Sequence, residues 1–216
     1  MSEPIRRVVS VAAPLWVDDV EADQIISARD CVRPAGADYG DALFRAWRAD
    51  PTFVLAREGF REARILVTGA NFGYGSSREH AAWAVRDFGL RAIVAPSFAS
   101  IFRTNAVRNG VLPVILSADT VAAIVAEISP GPAELAIDLP EQTVTTPSGE
   151  VHRFEIAALE KEMLVEGLDG IGLVERYTDD LAAFEERDRR RRPWVYEPLA
   201  AASSGTTTSE TGVGTP

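Results

Sequence analysis

The chain has 216 residues with 46% hydrophobic and 25% charged content, an ordinary globular composition at a length that suits one domain with appendages. Its 32 acidic residues against 22 basic ones leave a formal charge of −10, which argues against a nucleic-acid surface. The longest apolar stretches, such as 111–116, fall far short of the ~20 residues of a membrane helix, and the N-terminus lacks the pattern of a secretory signal. A cytoplasmic protein with no membrane partner is expected.

In chain order, residues 6–11 read as a first strand, 22–28 as a short helix or turn, and 29–39, with Pro34 and Gly36, as a loop. A helix is expected over 41–48, ending before Asp50 and Pro51. The most regular stretch follows: a strand at 64–68, a glycine-rich turn at 69–75, a helix at 77–88 stopped by Gly89, and a strand at 91–95. A helix at 98–109 ended by Gly110, a strand at 112–116 and a helix at 119–128 complete it. Alternating strands and helices imply a parallel sheet with right-handed crossovers. After Pro132 the hydrophobic period becomes two, so 135–139, 143–146 and 151–156 are expected strands, the last two joined as a hairpin through Pro147 and Gly149. Helices are expected at 158–166 and 178–192, separated by a turn at 167–170. The arginine-rich run at 187–192 reads as the solvated end of that last helix. From Ala200 onward Ser, Thr, Gly and Glu leave almost nothing to bury, so 198–216 are expected to form a disordered tail.

Cys31 is the single cysteine, so this chain alone can form no disulfide and cannot ligate an iron-sulfur cluster, which takes several cysteine ligands. His80 and His152 lie far apart in sequence, and no zinc site is expected; His80 reads as packed or hydrogen-bonded in its helix. The informative run is GANFGYGSSREH at 69–80, placed where a parallel strand ends and a helix begins, the edge at which open α/β sheets bind ligands. Gly73 and Gly75 permit close backbone approach or a positive φ. Ser76, Ser77 and Arg78 offer two hydroxyls and a guanidinium to an anion, and arginine matches a carboxylate with two parallel hydrogen bonds. Ser76 followed by Glu79 is equally a capping box, in which the serine only satisfies backbone donors, and the residues alone leave both readings open. A nucleotide phosphate fits less well, because a third glycine and a Gly-Lys-Ser/Thr step are missing.

Together with APSFASIF at 95–102, Asn105 and NGVLP at 109–113, this run resembles the small subunit of 3-isopropylmalate dehydratase, which is related to the swivelling C-terminal domain of aconitase. The similarity extends to DQII at 23–26, LFRAWR at 43–48 and EGLDGIGL at 166–173, and so covers most of 10–196. The resemblance implies an α/β fold over 1–197: a swivelling β/β/α three-layer domain with a parallel-sheet core and a C-terminal β-hairpin and helices. It implies a hydro-lyase of leucine biosynthesis that isomerises 2-isopropylmalate and 3-isopropylmalate by dehydration and rehydration. Activity would require a heterodimer with a large subunit that holds a 4Fe-4S cluster, this chain carrying no metal and the substrate being a small hydroxy-dicarboxylate. By the family pattern Ser76 is the base that removes the proton next to a carboxylate, its alkoxide favoured by the helix N-terminus and nearby positive charge. Ser77 helps stabilise negative charge, Arg78 holds a substrate carboxylate, Gly75 lies at the substrate, and Asp23 matches an early acidic residue near the active site. Arg33 is the retained member of a loop that usually reads aromatic-Leu-Lys-Arg in leucine-pathway subunits and here reads DCVR at 30–33. That departure, and Tyr74 in place of a small residue or cysteine, leave a paralogue acting on another 2-alkylmalate or citrate-like acid in secondary metabolism as the second reading. A non-catalytic anion-binding protein is a third, although such a scaffold would not need the GSSR run.

Because the tail has nothing to pack, truncation after residue 199 is expected to leave folding and activity intact. Calorimetry should show Tm lowered by less than ~4 °C, which corresponds to roughly 1 kcal/mol for a chain of this size.

Overall fold

The computed structural model describes residues 3–34, 37–75 and 78–196; the expected tail at 198–216 and the two serines at 76 and 77 lie outside the described residues. The elements are β1 (Arg7–Leu15), α1 (Ala22–Ile25), α2 (Arg45–Arg48), β2 (Ile65–Thr68), α3 (His80–Phe88), β3 (Ala92–Ala95), α4 (Ser100–Arg108) and β4 (Leu112–Ile115). They continue with α5 (Ala118–Ile128), β5 (Glu134–Asp138), β6 (Thr143–Thr145), β7 (Val151–Arg153), α6 (Ala158–Glu166), α7 (Gly170–Glu175), α8 (Thr178–Arg191) and α9 (Pro193–Tyr196).

The seven strands form one sheet in the order β4-β3-β2-β1-β5-β6-β7. Pairing is parallel from β4 to β1, as the strand-helix alternation requires, and antiparallel from β1 through β7. β1 is the junction. Its Arg7 to Val11 half pairs with β5 and its Ala12 to Leu15 half with β2, so it runs past the end read from sequence at residue 11. Ala12, Ala13 and Pro14 have weak strand preference, but both alanines are fully buried, and burial outweighs propensity. Pro14 is tolerated because this half of β1 pairs on one side only.

Alternation along the strands sorts side chains into two apolar layers. Ala13, Leu15, Leu66 and Ile93 enter one, with Phe44, Phe60, Phe72, Val85 and Phe102. Ala12, Ile65, Val67, Val94 and Val114 enter the other, with Val121, Ile124 and Ile128 of α5. Helix α4 sits at the boundary, sending Phe102 and Ala106 to the first layer and Val107 to the second. The two-pronged Arg103–Glu160 pair, at 2.7 and 2.6 Å, ties α4 to α6.

Three departures from the sequence reading have physical causes. The helix expected at 41–48 is a 3₁₀ turn at Gly40–Ala42 followed by the short α2, because Phe44 takes a positive φ of 46° to bury its ring beside Phe72 and Trp47. Helix α3 starts at His80, with Arg78 and Glu79 outside it; residue 77, where the helix was expected to begin, lies outside the described residues. A helix the sequence did not suggest, α7, follows the 167–170 turn, its first amides satisfied in part by the Asp169 carboxylate, which accepts from the Gly172 N–H at 2.8 Å.

A second compact unit begins at Val174. In it Asp188 accepts from the Arg192 guanidinium at 2.7 and 2.6 Å and from the Tyr196 hydroxyl at 3.0 Å, joining α8 to α9. Arg187 and Arg189 to Arg191 are exposed, the solvated helix end read from sequence.

Candidate functional site

The parallel pairing of β1 and β2 does not stop where the strands do. The Gly69 N–H donates to the Val17 carbonyl at 3.1 Å, Asp19 N–H to Ala70 O at 2.9 Å, Gly73 N–H to Val20 O at 2.8 Å and Ala22 N–H to Tyr74 O at 2.8 Å. Side chains lock the same seam: the Asp18 carboxylate accepts from the Ala70 N–H, and the Asn71 amide donates to Asp19 at 2.8 Å. The glycine-rich turn is thereby zipped along 17–22. Phe72 anchors it from below, fully buried with its ring 5.1 Å from Phe102 and 6.3 Å from Phe98. Gly73 has φ +79°, and a Cβ there would stand 2.3 Å from the Phe102 ring, so the position demands glycine on two counts. Gly75, at φ +90°, lies against the Glu21 side chain, where a Cβ would come within 2.9 Å of Cγ.

Beyond the seam the two segments deliver their chemistry to one place. The Arg78 guanidinium donates to the Asp23 carboxylate at 2.8 Å, both side chains being half-exposed. Cys31 lies within electrostatic reach of them, and its Sγ–H donates to the Ser27 carbonyl at 3.4 Å. Burial pushes the Cys31 thiol up, the Arg78 cation draws it back in part, and the carboxylates of Asp23 and Asp30 raise it further. The sequence assigns Cys31 no role, because nothing in its neighbours announces the influence of a residue so distant along the chain.

The loop after α1 contains a 3₁₀ turn over Asp30–Val32. Asp30 is buried, accepting from the Ser27 hydroxyl at 2.9 Å and pairing with Arg45 at 2.8 Å. Val32 points outward and is 84% exposed. Arg33 is engaged within the chain: its fork grips the Asp41 carboxylate, with Nη2 3.0 Å from Oδ2, and Nη1 also donates to the Asp38 carbonyl at 2.7 Å. Asp30, Asp41, Arg33 and Arg45 form a closed ionic group in which hydrogen bonds from Arg33 hold the Asp41 carboxyl below its ordinary range. The structure thus unites Asp23, Arg78, Gly75 and Cys31, and it gives Arg33 partners of its own beside them.

Glu79 bears on the capping reading. Its carboxylate accepts from the Asn109 side-chain amide at 2.8 Å, and its carbonyl accepts the first N–H groups of α3, from Ala82 and Trp83. The other member of the capping box, Ser76, lies outside the described residues. His80 packs edge-on to Tyr39 at 5.5 Å and beside Trp83 at 4.6 Å, as the packed reading expects. Among the described residues no group of three or more His, Cys, Asp or Glu side chains is placed to hold a metal ion. No helix among them is long and apolar enough to cross a membrane.

A parallel half-sheet closed by an antiparallel half, with a glycine turn and an arginine at the strand ends, is the architecture of the aconitase swivelling domain. The family model for the aconitase C-terminal domain matches residues 39–119, and that for LeuD_N matches 124–158. The chain is 41% identical over 204 residues to the 3-isopropylmalate dehydratase small subunit of Cupriavidus necator, covering 90% of this chain and 98% of that protein. It is 42% identical over 194 residues to the small subunit of Rubrobacter xylanophilus, covering 89% and 99%. The crystal structure of 3-isopropylmalate dehydratase (leuD) from Methanocaldococcus jannaschii superposes with a TM-score of 0.64 at 25% identity, over 82% of this chain and 98% of that one. The chain belongs to the 3-isopropylmalate dehydratase small-subunit family.

Two measurements check this geometry. Gly73→Ala should lower stability by ~3 kcal/mol, from overpacking against Phe102 and the positive φ, which is roughly 6–12 °C in Tm by calorimetry. Alkylation of Cys31 should show a pH–rate inflection above the ~8.5 of a free thiol, and Arg78→Ala should move it higher still; an inflection that falls on removing Arg78 would place the cation away from the sulfur.

Proposed function

We propose that this chain is the small subunit of a heteromeric hydro-lyase that interconverts 2-isopropylmalate and 3-isopropylmalate in leucine biosynthesis, in the cytoplasm and in partnership with a large subunit. The observation that carries the reading is identity near 40% over nine-tenths of the chain to proteins named 3-isopropylmalate dehydratase small subunit. The same names favour this reading over a paralogue of secondary metabolism or a non-catalytic binder.

In this reading Arg78 binds a substrate carboxylate with its fork, exchanging Asp23 for the ligand. A carboxylate already rests on Arg78 at hydrogen-bond distance, so the exchange replaces like with like. Ser76 takes the proton from the carbon next to a carboxylate, and Ser77 stabilises the negative charge that develops. Gly75 leaves room for the ligand to approach the backbone beside Glu21. A substrate contact by Arg33 requires its fork to leave Asp41; while that pair holds, Arg33 shapes the loop carrying Cys31. Isopropylmalate is a dicarboxylate, and Arg78 supplies one positive charge, which accords with a partner subunit completing the site.

The residues of this chain do not fit a 4Fe-4S cluster: there is one cysteine in the sequence, and no metal-holding group of side chains is present among the described residues. The cluster, which in this family supplies Lewis-acid chemistry, is assigned to the large subunit.

The purified chain is expected to be colourless, iron-free and inactive, and to turn over isopropylmalate once reconstituted with a large subunit; iron in stoichiometric amount with turnover from the chain alone would sink the assignment. In the reconstituted enzyme Ser76→Ala should lower kcat by several orders of magnitude, whereas a serine that only caps would cost ~1 kcal/mol of stability with near-normal turnover. Arg78→Lys should raise KM through loss of the two-pronged contact.

A further inference from the structure

We propose that Asn109 is a positioning residue for this enzyme: from the C-terminal end of α4 it clamps Glu79 and so fixes the path of the chain through Arg78. The inference rests on the function proposed above, and it concerns a side chain that touches none of the groups assigned there.

Asn109 is 9% exposed, and its amide is used on three sides. Nδ2 donates to the Glu79 carboxylate at 2.8 Å and to the Asn105 carbonyl at 2.8 Å, while Oδ1 accepts from Arg86 at 3.4 Å. Both amide protons are thus employed, and a carboxylate at the same place could supply neither of them. Glu79 is held at two points. Its carbonyl accepts from Ala82 and Trp83 at the start of α3, and its carboxylate is held by Asn109. Two anchors on one residue leave its backbone little freedom, and the next residue toward the N-terminus is Arg78, whose guanidinium must meet a carboxylate with two parallel bonds.

The connection continues to the other wall of the site. Arg86 donates through Nε to Asp87 at 2.7 Å, and the second oxygen of Asp87 accepts the Tyr39 N–H at 3.0 Å. Tyr39 is buried against His80 and Trp83, and the Arg33 guanidinium lies over its ring at 5.6 Å. A chain of polar contacts therefore runs from Glu79 through Asn109, Arg86 and Asp87 to the backbone beside the Arg33–Asp41 pair. Holding Arg78 by one end and the loop by the other, it sets the placement of the loop relative to Arg78.

The test uses the reconstituted two-subunit enzyme with isopropylmalate, after the wild type has been shown to turn over. Asn109→Ala and Glu79→Ala are each expected to lower kcat/KM by about 100-fold, the scale on which small misplacement of a reacting group acts. The double variant should lose no more than either single one, because both remove the same contact. Glu79→Gln keeps an acceptor oxygen for Nδ2 and should recover most of the loss seen in Glu79→Ala. Turnover unchanged in both alanine variants, additive losses, or no recovery with glutamine would each overturn the proposal, whatever happens to Tm. A second readout does not depend on turnover: in the isolated chain, the amides of Ala82 and Trp83 should exchange with deuterium faster in both alanine variants while the β-sheet amides stay protected. Should the wild-type complex prove inert on isopropylmalate, the functional reading falls, and the exchange result alone decides whether Asn109 holds this turn.

Discussion

Everything at the site depends on the seam that continues β1–β2 pairing past the ends of both strands. Parallel strands bring their C-terminal ends to the same edge, but edges alone do not align side chains. Here four backbone hydrogen bonds between 17–22 and 69–75 extend the register for several more residues. Asp23 and Arg78, far apart in the chain, follow immediately on either side and meet. The glycines matter because the seam is tight: Gly73 faces an aromatic ring and Gly75 faces Glu21, so side chains there would pry the segments apart.

Charge at this edge is organised in closed groups. Asp23 balances Arg78, and Asp30 with Asp41 balances Arg33 with Arg45. In a chain of net charge −10 this arrangement keeps guanidinium groups beside the site without leaving them to unrelated carboxylates. It also separates roles. Arg78 lies in a half-exposed pair with Asp23, the kind of pair that contributes little net stability and costs little to open. Arg33 is less accessible and faces oxygens of three residues, Asp30, Asp38 and Asp41, which favours a structural task.

Much of the α/β frame was legible in the sequence. The 2.0 and 3.6 periods, the glycine stops after α3 and α4 and the change of pattern after Pro132 located most elements, because buried strands and amphipathic helices write their burial directly into residue order. The turn at 69–75 was legible too, through its glycines at a strand end. Misreadings fell where long-range packing overrides local preference: the buried alanines that lengthen β1, the left-handed Phe44 that breaks the helix expected at 41–48, and the aspartate that starts α7.

The sequence by itself determined the class of fold, the inability of a one-cysteine chain to carry an iron-sulfur cluster, and the position of a glycine-rich turn at a strand end. Only the tertiary structure decided which groups face one another there. It brought Cys31 within the electrostatic reach of Arg78, turned Asp30 inward and occupied the fork of Arg33. It also joined Glu79 to Asn109, a residue thirty positions away. The physical reason is the same in each case: hydrogen bonds and ion pairs between residues distant in the chain depend on where packed strands and helices carry them, and a one-dimensional pattern records only what each residue buries.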